Sequence, residues 1–118
     1  EPNQQRHVVD EVYGFIKVFN DGSVERPTFP GGLSPSSPTH FVGGVASRDV
    51  TIDPTTGIWA RVFLPKPLPP SHDNGIARKK IPLVLHFHGG GLCSGSPNAT
   101  AFHTFCSLMA TKSQSIWF

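Results

Sequence analysis

The sequence of 118 residues predicts an α/β fold, and two observations lead to that prediction. Residues 81–87 are apolar almost without interruption, which is the pattern of a strand buried on both faces of a parallel sheet. After a glycine-rich stretch, Phe102, Phe105, Leu108 and Met109 recur at helical spacing. A buried strand, a glycine loop and a helix that packs on the sheet form one unit of such a fold.

Two further strands are predicted upstream of that unit. Val45, Val50 and Ile52 are spaced for a strand over residues 45–53, and a second strand covers residues 58–64. The turn sequence Pro-Thr-Thr-Gly between them makes an antiparallel pair the expected arrangement. Downstream of the helix, whose N-cap is expected at Asn98 or Thr100, the chain becomes apolar again, which predicts the first residues of another strand.

The N-terminus is expected to contain a short helix that leads into a β-hairpin. Apolar residues have helix-like spacing between residues 7 and 18, at Val8, Val9, Val12, Phe15 and Ile16. Alternating segments on both sides of Asn20-Asp21-Gly22 predict a hairpin over residues 15–26, because its turn needs a residue with positive φ. Proline- and glycine-rich loops are expected at residues 27–44 and 65–75, and a polar, exposed loop at residues 66–80.

Composition excludes several classes of function. The formal charge of +2 is too small for a nucleic-acid-binding face, and the triplet Arg78-Lys79-Lys80 is interpreted as a solvated loop. No apolar run reaches the roughly 20 residues of a membrane span, and no signal peptide opens the chain. Cys93 and Cys106 are expected to be free thiols of a cytoplasmic or nuclear protein. Because the first residue is Glu1, N-terminal sequence could be missing.

The segment from His88 to Ser96 matches neither of two common phosphate-binding glycine loops. A dinucleotide fingerprint needs a third glycine where Ser94 stands, and a P-loop needs a lysine where this chain has Ser96. His86 and His88 point to one side of a strand, but their spacing to the cysteines and to His103 fits no common zinc site. No cofactor and no metal are therefore predicted.

Two interpretations of the three consecutive glycines remain. They form either an ordinary strand-to-helix turn, for which one glycine is enough, or an oxyanion hole. In an oxyanion hole, backbone N–H groups stabilise the negative oxygen of a tetrahedral intermediate, and bare glycines allow their approach. We favour the oxyanion hole, because three glycines in a row are entropically costly without such a use and because His88-Gly89-Gly90-Gly91 resembles the oxyanion loop of the α/β-hydrolases.

Over three segments that include the glycines, the chain resembles the N-terminal part of plant carboxylesterases in the hormone-sensitive-lipase-like branch of the α/β-hydrolases. The resembling segments are FIKVFNDGSVERP, GVASRDVTIDPTTGIWARVFLP and IPLVLHFHGGGLCSGSPNATAFHTFC. The resemblance implies an incomplete α/β-hydrolase domain over residues 1–118. Residues 1–44 would be a lid segment and linker, containing the N-terminal helix and hairpin, and residues 45–118 would begin the central sheet.

The resemblance also implies the roles of the loop residues. Gly89 and Gly90 would donate the oxyanion N–H groups, Gly91 would let the loop bend, and His88 would brace it through its imidazole. Leu92 stands where the family usually has phenylalanine. The partner would be a small-molecule ester, with no nucleic acid, no membrane and no cofactor.

The catalytic nucleophile is missing from this sequence. No G-x-S-x-G elbow occurs, Ser94 lies in the glycine loop with the wrong spacing, and the triad order of this fold puts its three members after residue 118. We therefore interpret the chain as part of a carboxylesterase that acts through a serine acyl-enzyme, inactive by itself. The alternatives are a small-molecule receptor similar to the gibberellin receptors and a noncatalytic truncated product.

Overall fold

The structure is a computed structural model that describes residues 5–12, 14–26, 30–66 and 80–118. Within these ranges the chain forms seven strands and one helix. They are β1 (Val8–Val12), β2 (Ile16–Phe19), β3 (Val24–Glu25), β4 (Val45–Asp53), β5 (Ile58–Pro65), β6 (Leu83–Val84), α1 (Thr100–Ser113) and β7 (Ile116–Trp117). The predicted loop at residues 66–80, with Arg78 and Lys79 of the basic triplet, lies almost entirely outside the described residues.

The first sheet contains β1, β2 and β3 in that order, and its first strand corrects a prediction. The expected N-terminal helix is wrong, because residues 8–12 pair antiparallel with β2. Three of these five residues are valines, whose branched side chains favour a strand over a helix. Gly14 takes a φ of +69° and Phe15 N–H donates to the Val12 carbonyl oxygen at 2.8 Å, so the chain reverses there.

The predicted hairpin is confirmed. β2 and β3 pair antiparallel with Val18 opposite Val24, and Gly22 has a φ of +79° in the turn between them. Asp21 accepts hydrogen bonds from the backbone N–H and the hydroxyl group of Ser23, and these bonds lower the pKa of its carboxyl group.

The second sheet has the strand order β4-β5-β7-β6. The two long strands β4 and β5 are antiparallel from Val45 opposite Pro65 to Asp53 opposite Ile58, as predicted. The predicted last strand also forms, as β7. It is the last strand in the chain, yet it lies between β5, with which it is antiparallel, and β6, with which it is parallel. A mixed sheet with a helix packed on it is an α/β arrangement.

The predicted strand at residues 81–87 forms in part. Only Leu83–Val84 is assigned as β6, although His86 N–H extends the ladder to the Phe118 carbonyl oxygen at 2.9 Å. In the described chain Val84 is half-buried, whereas Leu85 is 64% and Phe87 is 90% exposed, so the burial predicted for this strand in the complete fold stays a prediction. In the described part of the chain, β6 pairs with β7 alone, and its Val84 packs against the core.

Helix α1 packs against β5, β7 and β4. The core that it covers consists of Val45, Phe63, Cys106, Ala110 and Trp117. The N-cap is Ala99, without a side-chain hydrogen bond, so the two predicted caps are wrong.

The helical stripe was predicted only in part. Cys106 and Ala110 are buried and Met109 packs against the core, whereas Phe105 and Leu108 are 45% and 53% exposed. The helix therefore presents its smaller side chains to the sheet.

A buried arginine joins the sheet to the helix. Arg61 on β5 is 2% exposed and binds Asp49 on β4 through both carboxylate oxygens, at 2.6 and 2.9 Å. Its Nη1 donates to the Ser34 carbonyl oxygen at 2.7 Å and to His103 Nδ1 on α1 at 3.1 Å. Because arginine can only donate, Nδ1 of His103 must be unprotonated. Burial, and then the Arg61 charge, lower the pKa of His103 below 6.5, while Asp49 opposes this shift.

Replacement of Asp49 by alanine is expected to lower the free energy of unfolding by about 2–3 kcal/mol, because it leaves the buried guanidinium without its counter-ion. Chemical denaturation of the polypeptide that carries this sequence measures the change. The matched control is Arg48→Ala, the preceding and exposed residue of β4, which should stay within about 0.5 kcal/mol of the parent. Equal losses in the two variants would contradict the role of Asp49.

The lowered pKa of His103 predicts a pH dependence of stability. Between the folded-state pKa and 6.5 the unfolded chain binds more protons, so the free energy of unfolding increases with pH in that window. The stability that neutral His103 contributes is complete above pH 6.5 and is lost as the pH falls through the folded-state pKa of this residue. His103→Asn keeps an acceptor atom at the Nδ1 position without a titrating proton. Denaturation at several pH values should show a weaker decline in this variant than in the parent.

Candidate functional site

The glycine loop, defined as residues 88–95, connects the end of the β6 ladder to the segment that enters α1. The Gly90 carbonyl oxygen organises it by accepting backbone N–H bonds from Cys93 at 3.2 Å and from Ser94 at 3.0 Å. The Ser94 hydroxyl group donates to the same oxygen at 3.1 Å. The loop therefore closes on itself through these three bonds to one carbonyl oxygen.

Gly90 is required by this geometry. Its φ is +133°, and a Cβ at this position would collide with the Ser94 carbonyl oxygen. Gly91, with a φ of +61°, and Gly95, with a φ of +92°, also lie in the region that favours glycine. Leu92 takes a φ of +63° with a fully exposed side chain, although it is not a glycine. The tight turn thus explains two of the three consecutive glycines.

Gly89 has no such explanation. Among the described glycines it alone has no positive φ, and a Cβ built on it would meet no atom within 4 Å. An alanine would therefore fit at position 89 both in conformation and in space. Glycine is also used where a ligand must approach the backbone closely, and this use remains open at Gly89.

The N–H groups of Gly89 and Gly90 make no hydrogen bond to any part of the chain that the structure describes. The carbonyl oxygen of Gly89 is engaged, since His88 Nδ1 lies 2.8 Å from it. The His88 ring also stacks on Phe102 of α1, with 5.1 Å between the ring centroids. His88 thus contacts both the loop and the helix, and the two N–H groups are available to a bound molecule.

Ser94 does not have the surroundings of a nucleophile. Its hydroxyl group donates to the Gly90 carbonyl oxygen, and in the described residues no imidazole lies within hydrogen-bonding distance of it. A serine needs a base to become nucleophilic.

The glycine loop borders a cavity of about 700 Å³, a size suited to a small molecule. Most of its walls are apolar, and they include Trp59, Leu85, Phe87, Phe102 and Phe118. No aspartate or glutamate lines it within the described part of the chain. The cavity therefore offers an apolar surface with the glycine backbone at one side.

The cavity is also lined by a residue that the sequence analysis did not predict as part of the site. Arg26, just after β3, lines it and donates from Nε to the Cys93 carbonyl oxygen at 2.8 Å. The two residues are 67 positions apart, and no local pattern connects them. The residue that directly follows the N-terminal sheet thus contacts the glycine loop.

His86 and His88, which follow β6, both contact residues of α1, and their alternation predicted that they point to the same side. His86 packs beside Phe105, at 5.4 Å between ring centroids, and its Nδ1 lies 3.5 Å from Cys106 Sγ. Burial raises the pKa of the Cys106 thiol. Cys106 is buried and Cys93 is exposed, and the two do not form a disulfide.

The described residues contain no cluster of three or more metal-ligating side chains. They also contain no helix long and apolar enough to cross a membrane.

Comparison with known proteins found plant enzymes, while no family model matches the chain. Over 107 residues, 91% of this chain and 30% of the other, it is 40% identical to the probable carboxylesterase 6 of Arabidopsis thaliana. It is 33% identical over 111 residues to the 2-hydroxyisoflavanone dehydratase of Glycine max, covering 94% of this chain and 32% of that protein.

The probable carboxylesterase 2 of Arabidopsis thaliana is 32% identical over 116 residues, which are 95% of this chain and 33% of that protein. The chain thus spans about a third of the length of these relatives. The resemblance predicted from the glycine loop and the paired strands is confirmed: over most of its length the chain is a homologue of plant carboxylesterases and related plant enzymes.

Proposed function

We propose that the polypeptide carrying this chain hydrolyses carboxylic esters through an acyl-enzyme, with the Gly89 and Gly90 N–H groups as oxyanion donors. The observation that carries the proposal is Gly89, which is bare without a conformational or steric reason and borders the cavity with an unused N–H group. A developing oxyanion needs donors of this kind, fixed before the reaction.

The nucleophile and its acid and base would come from outside residues 1–118, since the sequence contains no G-x-S-x-G elbow. The serine would attack the ester carbonyl carbon, the carbonyl oxygen would become an oxyanion at the two glycines, and the alcohol would leave. Water would then hydrolyse the acyl-enzyme by the same route. His88, stacked on Phe102, would support the loop, and Gly91 would supply its bend.

Ester cleavage is proposed rather than another reaction because two of the compared proteins are named carboxylesterases. The relative named as a dehydratase shares the same segment, so an assay must measure cleavage of an ester bond. The mostly apolar cavity supports a small-molecule ester with an apolar acyl or alcohol part. No nucleic-acid or membrane partner is proposed. Because the two thiols are unpaired, we also propose the cytoplasm or nucleus as the location.

Gly89→Ala is the sharpest test of the oxyanion role. The methyl group meets no atom of the described chain, so the polypeptide should fold normally, but it would stand beside the N–H group that binds the oxyanion. We expect kcat for a chromogenic short-chain ester to fall about 10²–10³-fold, the usual effect of losing one such donor. Melting temperature and circular dichroism should match those of the parent.

Two other variants serve as controls for Gly89→Ala. Gly57→Ala strains the turn between β4 and β5, where φ is +73°, and should lower stability without changing kcat of the folded protein. Gly90→Ala should lose activity together with the native loop, because its Cβ collides with Ser94. An active, stable Gly89→Ala protein with unchanged kcat would disprove the assignment of Gly89.

Residues 1–118 expressed alone are expected not to turn over an activated ester above background. An oxyanion hole lowers a barrier only when a positioned nucleophile creates the oxyanion. Release of the chromophore by the purified chain, compared with the complete polypeptide, measures this. Many turnovers per molecule by the isolated chain would show a complete site within it, with Ser94 as the first residue to replace.

A further inference from the structure

We infer that Arg26 is a positioning residue of the oxyanion loop, which acts through its Nε–H bond to the Cys93 carbonyl oxygen. The inference rests on the proposed function of that loop. It assigns a role in catalysis to the residue that directly follows the N-terminal sheet.

The contact acts at a point where the loop has little other support. Within the loop, the backbone bonds of Cys93 and Ser94 converge on one acceptor, the Gly90 carbonyl oxygen. His88 contacts α1, but it lies at the start of the loop. The Arg26 bond at 2.8 Å is the hydrogen bond that ties the middle of the loop to another element in the described part of the chain.

Loop geometry decides where the two glycine N–H groups point. Leu92 and Gly91 have φ values of +63° and +61°, and a leucine in that region is strained. A loop that includes a strained residue needs an external constraint to keep one conformation. By holding the carbonyl oxygen of Cys93, which directly follows Leu92, Arg26 supplies such a constraint.

The guanidinium group is suited to this task. Its Nε donates to the loop, while its terminal nitrogens bind no partner in the described residues. The charge strengthens the bond to a neutral carbonyl group relative to an uncharged donor. The positioning role depends on the hydrogen-bond donor at Nε. Recognition of an anionic substrate would instead depend on the charge alone, so the two roles can be separated by experiment.

Three substitutions separate the donor from the charge. In Arg26→Gln, Nε2 stands the same number of bonds from Cα as Nε of arginine, so the donor is kept and the charge is lost. In Arg26→Met, a methyl group stands there, so both are lost. In Arg26→Lys, the charge is kept but a methylene group replaces the donor. Arg6→Met is the matched control, because Arg6 packs over Phe19 in the same sheet and does not contact the loop.

Activity of the complete polypeptide is the first readout. We expect Arg26→Met and Arg26→Lys to lower kcat between about 10- and about 100-fold with little change in KM, because a misplaced catalytic group costs rates of this size. Arg26→Gln should recover most of the lost kcat, and Arg6→Met should keep the parent value. An effect on KM that lysine rescues and glutamine does not would overturn the positioning role in favour of substrate charge recognition.

Hydrogen exchange of the peptide spanning residues 90–95 is the second readout, and it needs no activity. The Cys93 and Ser94 amides should exchange faster in Arg26→Met than in the parent, and at nearly the parent rate in Arg26→Gln. Equal protection in all variants would overturn the inference even in an active enzyme. If the complete polypeptide cleaves no ester but this pattern appears, the proposed function fails while the contact between Arg26 and the loop stands.

Discussion

The fold depends on how one buried positive charge is satisfied. The Arg61 guanidinium group is held by Asp49 on β4, by the Ser34 carbonyl oxygen and by His103 on α1, so four segments of the chain meet at one planar group. The N–H groups of a planar guanidinium point in fixed directions, so its acceptors must lie in those directions. These bonds therefore fix the distance between the sheet and the helix more narrowly than apolar packing alone. The glycine loop is anchored between that sheet and that helix, so its position derives from the same arrangement.

The sequence predicted those elements whose signal is local. The hairpin around Gly22 and the antiparallel pair β4 and β5 follow from turn residues and alternation, which act between neighbours, and the start of β7 follows from a short apolar run. Two of the differences between the predictions and the structure concern pairing partners. Residues 8–12 have helical spacing but form β1, because β2 supplies a partner that a periodicity cannot reveal. The burial expected for residues 81–87 depends on neighbours on both sides, and β6 has one in the described chain.

The candidate site shows the same division. A glycine cluster after an apolar run indicates a loop that needs a bare backbone, and composition alone points to it. The turn needs a glycine at position 90 but not at position 89. This difference depends on φ and on the atoms that a Cβ would meet at each position, which only coordinates provide. The contact between Arg26 and Cys93 joins segments 67 residues apart and leaves no trace in spacing or residue pattern.

The position of β7 has a consequence for synthesis of the chain. β6 precedes β7 by about thirty residues, yet β7 lies between β6 and β5, so β6 cannot join the sheet until residues 116–118 have emerged from the ribosome. Until then the antiparallel pair β4 and β5 can form alone, since its contacts are local and fast to make. Within the described residues, β6 must wait for its only neighbouring strand, and this exposed interval is when a nascent chain is most prone to aggregate or to need a chaperone.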